Sequence, residues 1–397
     1  MKKGWQTKRL GDVCEIVKGR KPVLKATPSS GDLPYLGAKV MRGTAEPEFA
    51  SVNDKNSITV DESETIIICD GSNSGEIFTG FAGVLSSTMG KISKKVEIDD
   101  SYLRAFLDST FDVFNGAKTG AAIPHLDKDA MYQLEFPLPP LPEQQRLAGL
   151  LQEAFEGITT AKANAEKNLR SARALFESHL QSVFTQRGPG WVETTLEEVL
   201  TLQPQNGWSP PAANHATSGT PVLTLSSVTG FVFRPNKLKY TSAKTDPKAR
   251  YWIQNGDLLI TRSNTPELVG HVAIASGIEG STIYPDLIMR MNPMPDRALT
   301  KFLYYQLRTP ELRTEIMGRA QGANPTMKKI SNGAVKTLPI SVPPIATQQA
   351  IVAKLEALTE ETQSLARLYE RKLAALEALK KSLLHQAFTR KLQRLLD

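Results

Sequence analysis

Two long stretches of the chain carry apolar residues at steps of three and four positions, which is the spacing of one face of an α-helix. The first stretch has Leu147, Leu151, Ala154, Ile158, Ala161, Ala165, Leu169, Ala172, Phe176, Leu180 and Val183 on this face. The second has Ile351, Leu355, Leu358, Leu365, Tyr369, Leu373, Leu376, Leu383 and Ala387. Such a pattern predicts a coiled-coil seam on helices roughly 60 Å long. Ordinary core helices are the alternative, and helices of this length seldom fit within one compact domain.

The two stretches are copies of one another. Pro139-Pro140-Leu141-Pro142-Glu143-Gln144-Gln145 returns 204 residues later as Pro343-Pro344-Ile345-Ala346-Thr347-Gln348-Gln349, and 14 of the 47 positions from 139 to 185 are identical without a gap. A second repeat matches Trp5, Leu10 and Val13 to Trp191, Leu196 and Val199 at an offset of 186. The order of start motif, globular region and long helix therefore occurs twice along the chain.

This duplication predicts an α+β fold with two mixed α/β domains in a pseudo-two-fold arrangement. We expect two long antiparallel helices, forming a coiled coil, to separate the domains. Arg187-Gly188-Pro189-Gly190 would link the halves.

The globular regions, 14–136 and 200–338, contain short β-branched runs broken by turn residues, which favours irregular sheets. The strand candidates 65–69 and 257–261 each lead into a loop of small polar residues, and a short helix is expected around 101–109 and around 300–307.

These loops carry side chains suited to reading DNA. Arginine pairs with guanine, asparagine with adenine, and serine, threonine and lysine hold bases or phosphates. The candidate DNA-binding residues are Arg20, Lys39, Ser72, Asn73, Ser74, Lys118, Thr119 and His125 in the first half, and Arg262, Ser263, Asn264, Thr265, Lys328 and Lys329 in the second. Further candidate phosphate contacts are Lys18, Lys21, Lys237 and Lys239. For any single loop, the alternative is an ordinary solvated turn; the matching placement in both halves favours a functional role.

Composition adds little. The 48 Lys and Arg against 41 Asp and Glu give a net charge of +7, which suits an anionic partner without requiring one. Cys14 and Cys69 form neither a disulfide framework nor a zinc quartet, so a reducing cytoplasm is expected. The basic start of the chain has no apolar stretch behind it, which argues against a secretory signal, and no apolar run is long enough to span a membrane.

Motifs for catalysis are missing from the sequence. We find no Asn/Asp-Pro-Pro-aromatic loop for gripping a flipped adenine, no glycine-rich cofactor fingerprint and no phosphate loop, so no cofactor is expected. The five histidines lack metal-binding spacing. Pro285-Asp286 hints at a nuclease carboxylate, but no Glu-x-Lys follows at a useful distance, so chance explains it better.

With these features the sequence resembles the specificity subunits of type I restriction–modification enzymes. The resemblance covers nearly the whole chain, and its most specific motif is Leu138-Pro139-Pro140-Leu141-Pro142-Glu143-Gln144-Gln145-Arg146 with its copy. Weaker motifs are Trp5-Gln6-Thr7-Lys8-Arg9-Leu10-Gly11-Asp12-Val13, Leu33-Pro34-Tyr35-Leu36-Gly37-Ala38 and Gly256-Asp257-Leu258-Leu259-Ile260-Thr261-Arg262-Ser263.

The resemblance implies a non-catalytic subunit with target-recognition domains at 1–138 and 188–342 and spacer helices at 139–187 and 343–397. It implies that each domain reads one part of a bipartite, asymmetric site in double-stranded DNA. Two adenine methyltransferase (M) subunits would be partners, and motor-nuclease (R) subunits would be able to join. The alternative function is a coiled-coil interaction scaffold without nucleic-acid recognition, which steep salt dependence of DNA binding would exclude.

Overall fold

The computed structural model describes residues 5–116, 125–324 and 326–388. The chain forms two compact units, of which the first comprises Met1–Glu166 with Glu370–Asp397 and the second comprises Lys167–Tyr369. Both boundaries lie inside long helices, so each helix contributes one part to each unit.

The first unit contains ten strands and four short or medium helices among its described residues, followed by a long helix. In chain order these are β1 (Gln6–Arg9), α1 (Leu10–Val13), β2 (Cys14–Lys18), β3 (Asp32–Leu36), α2 (Ala38–Met41), β4 (Phe49–Ser51), β5 (Thr59–Val60), β6 (Ile66–Ile68), β7 (Ile77–Phe78), β8 (Gly83–Leu85), β9 (Met89–Lys94), α3 (Asp100–Gly116), α4 (Lys128–Tyr132), β10 (Glu135–Leu138) and α5 (Leu141–Thr185).

The second unit has a related order of elements, with eleven strands among its described residues. Its elements are β11 (Val192–Thr195), β12 (Leu200–Asn206), β13 (His215–Ala216), β14 (Thr220–Leu223), β15 (Leu238–Thr241), β16 (Leu258–Thr261), β17 (Ser263–Asn264), β18 (Val272–Ile274), β19 (Ile288–Pro293), α6 (Thr300–Gln306), α7 (Pro310–Arg319), β20 (Lys328–Lys329), α8 (Asn332–Lys336), β21 (Pro339–Val342) and α9 (Ile345–Phe388). The described part of this unit also has 3₁₀ turns at Leu196–Val199, Ala212–Asn214 and Leu225–Ser227.

Each unit is built on a four-stranded antiparallel sheet with the same connectivity. The strand order is β2-β9-β6-β7 in the first unit and β12-β19-β16-β18 in the second. The strand before each long helix pairs with the first strand of its unit, β10 with β1 and β21 with β11. The predicted mixed α/β fold is confirmed.

The strand β6 is apolar at every position because both of its faces are covered. Ile67 packs into a cluster with Tyr102 and Phe106 of α3, whereas Ile66 and Ile68 face a second cluster. The second unit repeats the division, with Leu258 and Ile260 on one side of β16 and Leu259 on the other. A strand buried on both faces therefore reads as a continuous apolar run.

The long helices are 45 and 44 residues long, and in the first unit they run antiparallel. There Leu151 of α5 shares an apolar cluster with Leu384 of α9, and Lys162 forms an ion pair with Glu377. In the second unit Leu180 and Leu355 lie in one cluster. Both long helices predicted from the sequence are thus present.

One predicted seam position is wrong. The side chain of Leu365 is 40% exposed, and Thr362 is buried at the corresponding turn of α9. Thr362 Oγ1 donates a hydrogen bond to the carbonyl oxygen of Leu358 at 2.7 Å, so the hydroxyl has a hydrogen-bond partner within the helix. Because a threonine satisfied in this way is compatible with burial, the apolar pattern of the sequence pointed to the wrong residue.

Candidate nucleic-acid interface

In each unit, the candidates that follow the central strand β6 or β16 lie at one end of the central sheet, together with the segment around His125 or Lys328–Lys329. In the first unit Asp70, after β6, forms a β-bridge with His125, and Leu126 N donates to Cys69 O at 2.8 Å. In the second unit Ile330 N donates to Arg262 O at 3.0 Å, and β17 pairs with β20. The structure therefore joins loop segments that are more than fifty residues apart in the sequence.

Asp70 organises the charged groups at this end of the first unit. Its carboxylate lies 2.7 Å from Lys18 Nζ and 2.8 Å from His125 Nδ1. Burial acts to raise the pKa of Asp70, but the hydrogen bonds from Lys18 and His125 outweigh it and the pKa is lowered. Asp70 is thus ionised near neutral pH and holds two of the predicted contact residues beside each other.

The three polar candidates after Asp70 differ in exposure. Ser72 and Asn73 are exposed, and Asn73 Nδ2 donates to Glu76 Oε2 at 3.1 Å. Glu76 is also paired with Arg42, which ties this loop to the segment after α2. Ser74 is fully buried, so its position in this structure does not favour direct contact with a duplex.

The remaining first-half candidates are more scattered. Arg20 is exposed in the turn after β2, and Lys39 is exposed on α2. Lys118 and Thr119 lie outside the described residues. Arg20 thus belongs to a loop at the same end of the sheet, whereas Lys39 belongs to a different part of the unit.

In the second unit Arg262 is the most prominent cation at the sheet end. It is partly exposed, and its Nη1 lies 3.4 Å from Asp286 O and 3.9 Å from Asp286 Oδ2. Asp286 is also paired with Ser209 Oγ. The buried Nε of Arg262 makes no hydrogen bond within the described residues.

The other second-half candidates surround this arginine. Ser263 is buried opposite Lys329, while Asn264 lies opposite Lys328 and donates to Thr229 Oγ1 at 3.3 Å. Asn264 Oδ1, the side-chain amide oxygen, accepts from Thr265 N at 3.0 Å. Lys329 is exposed, whereas Lys328 Nζ donates to Gly322 O at 2.7 Å.

Lys237 and Lys239 lie at the sheet formed by β13, β14 and β15.

The acidic partners of these residues and the turn after β12 were not predicted from the sequence. Asp70 and Asp286 anchor the cations, and Trp208 and Ser209 lie in the turn after β12. In the sequence, Pro285-Asp286 resembles only a weak nuclease signal. Asp286 is more than twenty residues from Arg262 in the sequence, so no local pattern predicts that the two residues are paired.

Neither a metal site nor a membrane span is found in the described part of the chain. No group of three or more His, Cys, Asp or Glu side chains there could hold a metal ion. No described helix combines the length and apolarity needed to cross a bilayer.

A duplicated fold with polar and basic loops at equivalent sheet ends, together with two long helices, is the arrangement of a two-domain recognition protein. A family model described as the type I restriction modification DNA specificity domain matches residues 2–168 and 189–372. The chain belongs to this family of specificity subunits, which recognise DNA through two target-recognition domains and are not the catalytic components of their complexes.

Similarity to known proteins extends over nearly the full length. The chain is 25% identical to the type I restriction enzyme MjaVIII specificity subunit of Methanocaldococcus jannaschii, covering 98% of this chain and 93% of the relative. A chain from a structure on complex assembly and conformational transition of the type I R-M system matches with a TM-score of 0.75, at 20% identity, covering 97% and 98% of the two chains. The HsdS subunit from Thermoanaerobacter tengcongensis matches with a TM-score of 0.58, at 19% identity and 98% coverage of both. These structures support the fold.

Proposed function

We propose that this subunit reads a bipartite, asymmetric DNA target, with one half-site bound by each unit. The target-recognition domains would span 1–138 and 188–342, and the partners would be two adenine methyltransferase (M) subunits, with motor-nuclease (R) subunits able to join, in the cytoplasm. The observation that carries the proposal is the difference between equivalent sheet ends. The first presents Lys18, Asp70 and His125, whereas the second presents Arg262 with Lys329.

Different side chains on one backbone plan predict different half-sites. The experiment is long-read methylation mapping of DNA from cells that express this chain with a cognate methyltransferase. The expected result is one methylated motif made of two dissimilar half-sites around an unspecified gap. Methylation without a motif, or a palindromic motif with equal halves, would contradict the proposal.

Replacing Arg262 with alanine is expected to weaken recognition of one half-site alone, by about 1–3 kcal/mol, because an arginine that reads guanine loses a bidentate contact. The measurement is equilibrium binding of the methyltransferase complex to duplexes altered in either half-site. Arg297→Ala is the matched control, since this exposed arginine of the same unit bonds to Glu198 O and lies away from the sheet end. Equal affinity losses for the two variants would remove Arg262 as a base reader.

The stoichiometry of two methyltransferase subunits is supported by exposed residues that the two long helices share. Ala174, Leu175 and Ser178 of α5 recur as Ala378, Leu379 and Ser382 of α9, and all six are exposed. The two leucines are 52% and 46% exposed, so intramolecular packing does not explain why both are leucine. One such patch in each unit is suited to two copies of one apolar partner surface.

Leu175→Ser and Leu379→Ser are each expected to remove one of two bound methyltransferase subunits, because each patch loses its central apolar contact. The double variant should bind none at concentrations that saturate the wild type. Native mass spectrometry counts the subunits directly. Leu365→Ser and Leu368→Ser are controls, because these leucines are 40% and 50% exposed but have no leucine counterpart in α5. Loss of methyltransferase in the controls, or retention of both copies in the double variant, would refute the assignment.

A further inference from the structure

The turn after the first strand of the central sheet begins with glycine and ends with proline in both units, and the two residues between them differ. In the first unit the turn is Gly19-Arg20-Lys21-Pro22, and in the second it is Gly207-Trp208-Ser209-Pro210. Gly19 N donates to Met89 O at 2.8 Å, and Gly207 N donates to Ile288 O at 3.2 Å. The prolines are buried in both turns.

Close packing requires the glycine in each turn. A Cβ atom at Gly19 would lie 2.2 Å from Ser86 O, and one at Gly207 would lie 1.9 Å from Tyr284 O. Both distances are shorter than atoms tolerate, so the backbone of the turn is fixed by its neighbours. The two middle residues, by contrast, differ between the units.

In the second unit this turn belongs to the same polar network as Arg262. Ser209 Oγ is paired with the Asp286 carboxylate, and Asp286 N donates back to Ser209 Oγ at 3.3 Å. Asp286 in turn lies against the Arg262 guanidinium. Trp208 is therefore adjacent to a residue that contacts the arginine network.

The Trp208 ring is held in place on one of its faces. It stacks on Tyr251 with ring centroids 5.1 Å apart and planes inclined by 27°. Tyr251 is itself fixed, since its hydroxyl accepts a hydrogen bond from Asp246 N at 2.7 Å. A ring stacked in this way cannot insert between base pairs without leaving Tyr251, but its partly exposed remainder offers an apolar surface to a groove.

We propose that Trp208 contacts the methyl group of a thymine in the half-site read by the second unit. The thymine methyl is the one apolar feature of the base edges in the major groove, and Arg262 and Asn264 supply the chemistry for guanine and adenine. In the first unit the equivalent position is the exposed Arg20, followed by Lys21, and these cations are suited to backbone phosphates. This turn is thereby a determinant of how the two half-sites differ. The inference rests on the proposed function.

The test uses the complex of the whole subunit with its methyltransferase and duplexes that carry deoxyuridine in place of single thymidines. This exchange removes only the methyl group. For the wild type, one position in the second unit's half-site is expected to lose about fourfold in affinity, the effect of one methyl-sized group leaving water. Trp208→Ala should bind the thymidine duplex about as weakly as the wild type binds the deoxyuridine duplex, and should no longer distinguish them.

Two further variants test folding and specificity. Trp208→Phe keeps an aromatic ring on Tyr251 and should retain the thymidine preference. Arg20→Ala should leave the deoxyuridine effect unchanged and should lower the salt dependence of binding by about one counterion. Trp208→Ala should still discriminate base changes in the first unit's half-site, which shows that the complex is intact.

Two outcomes overturn the inference while leaving the proposed function in place. One is a wild type that binds its target specifically but is insensitive to deoxyuridine at every position of that half-site. The other is a Trp208→Ala variant that keeps the full deoxyuridine effect. A wild-type complex without sequence-specific binding would overturn the proposed function, and this inference with it.

Discussion

Replacing Gln348 with leucine is expected to destabilise the second unit by about 3 kcal/mol, and Gln144→Leu to destabilise the first by about 2 kcal/mol. Both glutamines are almost completely buried at the start of a long helix. Gln348 Oε1 accepts from Leu299 N at 2.9 Å, and its Nε2 donates to Arg297 O at 2.9 Å and to Pro343 O at 2.8 Å. Leucine fills a similar volume but leaves these backbone groups buried and unpaired, at about 1–3 kcal/mol for each such site.

Gln144 makes equivalent hydrogen bonds in the first unit, with one bond fewer. We call each set of these bonds a glutamine clamp. Gln144 Oε1 accepts from Asp99 N at 3.0 Å, and Nε2 donates to Pro139 O at 2.8 Å. Each glutamine thereby joins the strand-to-helix turn before the long helix to the segment that opens α3 or α6. Because two bonds are lost in place of three, the effect of Gln144→Leu should be smaller.

The neighbouring glutamines provide matched controls within the same motif. Gln145 and Gln349 are exposed, so Gln145→Leu and Gln349→Leu should change stability by less than about 0.5 kcal/mol. Urea unfolding gives the free energies, and amide hydrogen exchange at Leu299 and Asp99 gives a local readout for each unit. Should the exposed-site variants be as destabilising as the buried-site ones, the clamp would not be the reason that the motif is duplicated.

These glutamines illustrate what the sequence could provide. The repeat of Pro-Pro and Gln-Gln was visible at an offset of 204, and it located both helix starts within two residues. It did not distinguish the buried from the exposed glutamine, because both stand next to each other in an identical pair. That difference comes from the orientation of the helix start against α3 and α6, which is a tertiary property.

The α7 helix was missed for a physical reason. Its buried side chains include Arg313, which occupies a position where an apolar residue would have made the helical period visible. Arg313 Nη2 donates to Glu267 O at 3.1 Å, so the charged group is partly satisfied in the interior. The readable signals were at the start of the helix, where Thr309 caps it and Pro310 occupies its first turn.

The residue types of the candidate interface could be predicted from the sequence, but the contacts between its side chains could not. Polar loops after buried strands suggested Asn264 and Arg262, and the structure places them at one sheet end. The bonds that order the site, such as Asp70 with His125, join residues 55 positions apart. Contacts of this kind depend on strand pairing, which no local pattern encodes.

Acid is expected to destabilise the second unit through His271, with a loss of about 2 kcal/mol between pH 7 and pH 5. Burial, with smaller contributions from the charges of Arg313 and Arg308, lowers the pKa of His271 to about 4 from an ordinary value near 6.5. As pH falls below 6.5, the unfolded state binds a proton that the folded state does not bind. Stability is therefore complete above pH 6.5 and is lost progressively toward pH 4, at about 1.4 kcal/mol for each pH unit.

The geometry of His271 explains why the folded state resists this proton. Its Nδ1 accepts a hydrogen bond from Gly230 N at 2.9 Å, and its ring stacks on Phe231 with centroids 4.1 Å apart. Protonation would turn the acceptor into a donor facing an N–H group, beside two arginines. His271→Gln is the appropriate variant, since an amide oxygen can accept from Gly230 and does not titrate in this range.

Comparing the wild type with His271→Gln isolates the effect of His271, because the other four histidines are present in both proteins. Three of the four tryptophans, Trp191, Trp208 and Trp252, belong to the second unit, so urea unfolding followed by tryptophan fluorescence reports mainly on that unit. The wild type should lose about 2 kcal/mol more than His271→Gln between pH 7 and pH 5. The His271 ring accepts from Gly230, and the adjacent Thr229 accepts from the candidate Asn264, so the same interval should weaken DNA binding of the wild type more than that of the variant. Parallel pH profiles for the two proteins would show that His271 is not the titrating group.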